Sequence, residues 1–170
     1  MRSIVAVAVL AVLAGAAIGA GSLATSPPAA DPVRLRMAAL DWLHGEWTCG
    51  GKIGDAPTTF SLVFSDALMG AWLDMRMDTG QGKRSFQLVS TIGYSESAKE
   101  WIRFDRTATG RSRLLTSAGP EGETITFTEV EPRGAFREKF ARTKEGFLGE
   151  VWLRDAGKWT TAATFACGLR

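Results

Sequence analysis

Glu138 is the acidic residue whose setting is best suited to chemistry, because it lies between Phe136 and Phe140 in an alternating segment. Residues two apart on a strand point to the same face, so this carboxylate shares a face with two phenyl rings. If that face is inward, burial of the carboxylate demands a cationic partner or a raised pKa. Arg106 and Arg142 are the candidate partners.

Three roles fit a carboxylate in this setting. In the first, Glu138 forms a structural ion pair or lies at a rim that is open to water. In the second, it orients a ligand that carries a carboxylate or hydroxyl group. In the third, it transfers protons as an acid or base, which requires Glu138 and Arg106 to converge on one point of a cavity.

Cys49 and Cys167 are the only cysteines, and they lie near opposite ends of the part of the chain with strand periodicity. Cysteines of exported chains usually pair. Because a disulfide requires Cα atoms about 5.5–6 Å apart, this bond would place the first strand beside the last and close the sheet. The alternatives are two free buried thiols and a catalytic thiol, although no family signature surrounds either cysteine.

The chain carries no recognisable motif for metal binding, phosphate binding or nucleophilic catalysis. With one histidine and two cysteines, carboxylates are the main metal ligands left, and their spacing matches no calcium loop. Residues 93–97 approach the pattern G-x-S-x-G, but the second glycine is missing and the segment falls in a predicted hairpin turn. We therefore expect no metal and no cofactor, and we favour binding over catalysis.

An N-terminal leader precedes the predicted domain. A basic start, an apolar run over 4–18 and small residues before position 25 are typical of a secretory signal peptide, predicted here as 1–24. The alternative is an uncleaved membrane anchor. Residues 25–32 are predicted to be a Pro-rich tether and 33–170 a single domain. The expected location is the periplasm or the cell exterior.

The charge pattern limits the classes of partner. A net charge of +2 without a basic stripe argues against nucleic acid. Arginines around one predicted hairpin could contact anionic lipid head groups or lipopolysaccharide at a membrane surface; a solvated hairpin face is the alternative. Tryptophans alternate with charges on three predicted strands, and if they face outward they suggest a contact with a protein or a membrane. These residues are Arg103, Arg106, Arg111, Arg113, Trp72, Trp101 and Trp152. We expect the protein to be a monomer.

The periodicity predicts a short helix followed by strands. Apolar residues at helical spacing over 33–44 follow Asp31-Pro32, a usual helix start, and Gly45 ends the helix. The period then changes to two, with glycine, proline or aspartate at each boundary, which predicts an all-β, up-and-down antiparallel β-barrel of about ten strands. The predicted strands are 46–53, 58–65, 69–79, 84–94, 100–107, 111–117, 124–131, 135–143, 147–154 and 158–167.

Alternation assigns one face of each strand to the barrel interior. Methionines and phenylalanines on that face could form a soft apolar pocket, because methionine adapts to irregular ligands; plain core packing is the alternative. The candidate ligand-binding residues are Met75, Met77, Phe86, Leu88, Phe104, Arg106, Phe127, Phe136, Glu138 and Phe140.

The start of the first strand resembles a known class of barrels. Gly45-Glu46-Trp47 follows the short helix and is similar to the G-x-W signature of the lipocalin and calycin barrels. Segments 91–94 and 101–105 resemble a stretch found in bacterial lipocalin-like domains of unknown function. The resemblance implies a barrel closed at one end by the helix, with Trp47 as a structural residue on its floor.

A related family, the nitrobindin-like haem proteins, ligates iron with a histidine close to the C-terminus. Residues 160–170 contain no histidine, and His44 is the only one in the chain, so haem is not expected.

A barrel of more than eight strands has room for a small ligand. From this and from the resemblance we expect an exported binding protein for a small apolar or amphipathic molecule. The alternatives are an envelope interaction module with a filled core and, less favoured, a barrel-type enzyme that transfers protons.

Overall fold

The computed structural model describes residues 32–80 and 86–170 of the chain. The predicted signal peptide 1–24, most of the tether 25–32 and the expected helix cap Asp31 lie outside these residues. None of the helices in the described part is long and apolar enough to cross a bilayer.

The predicted N-terminal helix is present as two short pieces. Helix α1 covers Pro32–Met37, and a 3₁₀ helix continues over Ala38–Leu43. Met37, Leu40 and Leu43 are buried in the main core. The helical segment therefore packs its apolar side against the barrel.

The rest of the described chain forms a closed antiparallel barrel of ten strands in sequential order, with the first strand paired to the last. This confirms the predicted fold class. The strands follow one another around the barrel because short links join each strand to the next in sequence. The strands are β1 Gly45–Ile53, β2 Ala56–Ala67, β3 Trp72–Asp78, β4 Gln87–Ser95, β5 Glu100–Thr107, β6 Ser112–Ser117, β7 Thr124–Glu131, β8 Phe136–Arg142, β9 Gly146–Asp155 and β10 Lys158–Leu169.

The seam of the barrel is where β1 pairs with β10. Cys49 lies directly opposite Cys167 in this pairing, with 4.1 Å between their Cα atoms, and the two form a disulfide. This confirms the predicted bond between the first and last strands. Disulfides persist in oxidising compartments, so the bond fits a location outside the cytoplasm.

One boundary difference lies before β3, where the sequence predicts a strand from Met69. Leu68–Gly70 instead forms a 3₁₀ turn, and Leu68, Met69 and Gly70 have φ angles of 48°, 60° and 79°. Three consecutive left-handed residues reverse the chain, so the strand begins only at Trp72. Leu68 and Met69 are exposed in this turn.

The helical segment closes one end of the barrel. Trp47, at the start of β1, donates a 2.7 Å hydrogen bond from Nε1 to the carbonyl of Leu43 and packs edge-on against Phe147 at the start of β9. Arg36 of α1 lies 4.0 Å from the ring centre of Tyr94 near the end of β4. These strand termini all belong to one end of an up-and-down barrel. No helix within residues 32–80 and 86–170 covers the opposite end, which is called the uncovered end.

Candidate functional site

The uncovered end of the barrel contains a cavity of about 320 Å³. Its walls are mostly apolar, and its polar lining groups come from a few residues on different strands. Ligand sites in proteins usually have volumes of about 300–1,000 Å³, so the cavity suits a small molecule. The lining includes Met75, Phe86, Arg113, Phe136, Glu138 and Ala163.

The structure brings together most of the residues that the sequence nominates for ligand binding. They come from β3, β4 and β8, except for Phe86, which directly precedes β4. Their inward positions follow from the alternation of side chains along each strand. The nominated residues that line the cavity are Met75, Met77, Phe86, Leu88, Phe136, Glu138 and Phe140.

The inward orientation expected for Phe104 and Arg106 is wrong. Phe104 is 43 % exposed and Arg106 lies near it on the outside of the barrel, with its guanidinium 5.8 Å from the Phe104 ring centre. The other face of β5 is inward, and it carries Trp101, Arg103 and Asp105. Arg106 therefore cannot pair with Glu138, and the convergence required for proton transfer by those two groups does not occur.

The structure also differs from the sequence-based expectations for Arg142 and Phe127. Arg142, the alternative partner of Glu138, is exposed at the end of β8 and lies 3.4 Å from Glu123. Phe127 is fully buried but does not line the cavity; its ring centre lies 5.8 Å from the Arg103 guanidinium. Phe127 is thus part of the packing around the buried charges.

Arg103 is the true partner of Glu138, and it is fully buried. Its Nη1 donates to Oε2 of Glu138 at 2.5 Å, and its Nε donates to Oδ1 of Asp105 at 2.7 Å. Asp105 also accepts a 2.6 Å hydrogen bond from the Ser90 hydroxyl. The guanidinium lies 5.7 Å from the ring centre of Phe140. This buried network connects three strands, β4, β5 and β8.

The electrostatics of the network favour ionised groups. Burial lowers the pKa of Arg103, but the attraction of Asp105 and Glu138 outweighs it and raises that pKa above its ordinary value. Burial likewise opposes ionisation of Asp105, yet the charges of Arg103 and Arg113 hold its pKa below the ordinary value of 3.8. The buried groups therefore compensate one another, as buried charges must.

Arg113 links the network to the cavity. Its Nε donates to Oδ2 of Asp105 at 2.7 Å, and its guanidinium stacks on Phe136, with 3.5 Å to the ring centre. The side chain is 23 % exposed. Arg113 and Phe86 line both this cavity and an adjoining one of about 870 Å³ between the β5–β6 and β7–β8 links.

Sequence reasoning missed Arg103, Asp105 and Arg113 as parts of the site. One signal was available, because Arg103 and Asp105 are two apart and opposite in charge, so they share a face on which they neutralise each other. Of the three tryptophans considered for an exposed surface, none is fully exposed. Trp101 is buried at 4 % exposure, whereas Trp72 and Trp152 are half-buried.

Comparisons with known proteins add little to this geometry. No protein-family model matches the chain, and a search of curated proteins found no match. The closed barrel of ten antiparallel strands is compatible with a calycin-like fold. The cavity and the charged groups beside it are therefore the features that bear on function.

Proposed function

We propose that this protein binds a small apolar or amphipathic molecule in the uncovered end of its barrel. The observation that carries the proposal is the mostly apolar cavity of about 320 Å³, with Glu138 and Arg113 among its few charged lining residues. A filled core, the alternative for a pure interaction module, would leave no cavity of this size. Apolar walls gain free energy when they exclude water with an apolar ligand.

The fixed positions of the charged groups support binding with a defined orientation. Glu138 is held by Arg103, and Arg113 is held by Asp105 and by its stack on Phe136. Because these side chains are already immobilised, little conformational entropy is lost when a ligand arrives. The site can therefore orient the polar end of a ligand without rearrangement.

The proposed setting is the periplasm or the cell exterior, with the protein as a monomer of a lipocalin-like family. The predicted leader and the Cys49–Cys167 disulfide support export, and the Gly45-Glu46-Trp47 resemblance supports the family.

The first test is native mass spectrometry of the protein purified from an oxidising compartment, followed by solvent extraction of the bound material. We expect a small molecule to co-purify and to leave on denaturation. A chain that stays ligand-free after several growth conditions, and that binds none of a panel of apolar fluorescent probes, would overturn the proposal.

A cavity-filling variant provides the second test. Ala163 lines the cavity, whereas Ala166 on the same strand is exposed. We expect Ala163→Leu to weaken binding of an apolar probe by about tenfold or more, because the added atoms occupy the space of the ligand. Ala166→Leu adds the same atoms outside and should leave the affinity unchanged; equal effects of both variants would contradict the proposed site.

A further inference from the structure

We infer that the ligand is an anionic amphiphile whose head group is bound by Arg111, Arg113 and Arg133 in the cavity that adjoins the apolar one. This inference rests on the proposed function and names the chemical class of the ligand. The adjoining cavity is referred to below as the vestibule. Its lining includes these three arginines together with Asp105 and Glu129.

Arg113 is placed to contact both parts of an amphiphile. It lines the apolar cavity and the vestibule, and the ring of Phe136 beneath it belongs to the apolar cavity. Its Nε already donates a hydrogen bond to Asp105. Among the described residues, neither terminal nitrogen of Arg113 makes a hydrogen bond, so both can donate to the oxygens of a head group. Planar guanidinium groups match carboxylate and phosphate oxygens in this way.

Arg111 and Arg133 add charge that the described part of the chain does not neutralise. Both are exposed, and neither has a carboxylate within ion-pair distance in residues 32–80 and 86–170. These two arginines therefore leave a positive potential at the entrance to the apolar cavity.

The nearby carboxylates already accept hydrogen bonds from the protein, and two of them are paired with arginine, which argues against a cationic head group. Asp105 accepts hydrogen bonds from Ser90, Arg103 and Arg113. Glu138 is held by Arg103, and Glu129 accepts a 2.7 Å hydrogen bond from the backbone N–H of Ala135. The unused hydrogen-bonding capacity that faces the vestibule thus belongs mainly to cations.

The test compares ligands that share one alkyl chain and differ only in the head group. Isothermal titration calorimetry would measure the affinity of the full mature protein for decanoate, decyl phosphate, 1-decanol and decyltrimethylammonium, each below its micelle concentration. We expect at least one of the two anions to bind about tenfold or more tighter than decanol, because hydrogen bonds to charged groups are stronger than neutral ones. The carboxylate and phosphate arms identify the head group.

A pair of double variants tests the assignment of the arginines. Arg111→Gln with Arg133→Gln removes two charges from the vestibule without breaking an ion pair of the described structure, and it should abolish most of the preference for the anion. Arg76→Gln with Arg106→Gln removes the same charge from exposed positions outside both cavities. This control should keep the preference.

The outcomes separate the two proposals. If none of the four ligands binds, the proposed function itself is overturned for this class of molecule. If decanol or decyltrimethylammonium binds as tightly as the anions, the apolar site stands and the head-group inference fails. If the control double variant loses the preference as fully as the vestibule variant, the effect is one of net charge and the assignment to Arg111, Arg113 and Arg133 is wrong.

Discussion

Arg103 on β5 and Glu138 on β8 meet inside the barrel, 2.5 Å apart, although they are 35 residues apart in the chain. Arg103 is fully buried, and Glu138 is buried at the edge of the cavity. Their contact spans strands that are not neighbours in the sheet. The pair therefore crosses the interior of the barrel and provides one boundary of the proposed ligand site.

Removal of Arg103 should destabilise the protein strongly. In Arg103→Met, Glu138 loses its buried partner and Asp105 loses one of its two arginine partners, so we expect the free energy of unfolding to fall by about 3–5 kcal/mol. Urea denaturation followed by tryptophan fluorescence would measure the change. Arg106 on the same strand is exposed, so Arg106→Met should change the free energy of unfolding by less than about 0.5 kcal/mol. Similar losses in both variants would contradict the assigned orientation of β5.

Acid should weaken the fold through Asp105. Burial opposes its ionisation, but Arg103 and Arg113 hold its pKa in the folded protein below the ordinary value of 3.8, so the unfolded chain binds the proton more readily. The stabilisation is therefore fully present above that value and is lost as the pH falls through the folded-state pKa. Urea midpoints should be measured at a series of pH values from above 3.8 to below it. As the pH falls, the midpoint of Asp105→Asn should decrease less steeply than that of the wild type. The exposed Asp155→Asn variant should follow the wild-type curve; if Asp105→Asn follows it as well, the assignment is wrong.

Reduction of the disulfide should lower stability without changing the order of the strands. The Cys49–Cys167 bond closes a loop with a sequence separation of 118, and loss of a native disulfide typically costs roughly 2–5 kcal/mol. We expect this loss in urea denaturation of the wild type with reductant. The double variant Cys49→Ser with Cys167→Ser should have the lower stability and show no response to reductant. An unchanged wild type would mean that the bond is absent in solution.

Gly149 should be intolerant of a side chain. A Cβ at this position would overlap the ring of Phe165, which lies across from it on β10 and lines the cavity. We expect Gly149→Ala to destabilise the fold by about 1–3 kcal/mol, because overpacking displaces the ring. Gly168→Ala on β10 meets open space and provides the matched control in thermal unfolding. Equal melting temperatures of the two variants would contradict this packing.

Much of the architecture could be predicted from local pattern. The alternation of apolar and polar residues, with glycine, proline or aspartate in the short links, predicted the strands. The two cysteines predicted the seam between the first and last strands, β1 and β10. These signals are local because side chains alternate along a strand whatever its neighbours are. The turn at Leu68 and Met69 was missed, because left-handed backbone at apolar non-glycine residues has no reliable sequence signal.

The site itself was only partly predictable. Phe136, Glu138 and Phe140 were placed on one inward face by alternation, and the structure puts them beside the cavity. The sequence nominated Arg111, in the β5–β6 link, and Arg113, at the start of β6, only for contact with lipid head groups at a surface, and it did not nominate Arg133, in the β7–β8 link. Their proximity depends on how the closed barrel brings those links together.

The sequence alone determined that side chains alternate along β5, but not which face of β5 points into the barrel. Ile102 and Phe104 look like the buried face by hydropathy, yet the structure buries Trp101, Arg103 and Asp105 instead. A buried arginine is tolerated only when anions surround it, and Glu138 is supplied by a strand 35 residues away. Only the tertiary structure could decide the orientation, because the free energy of a buried charge depends on partners that no local pattern reveals.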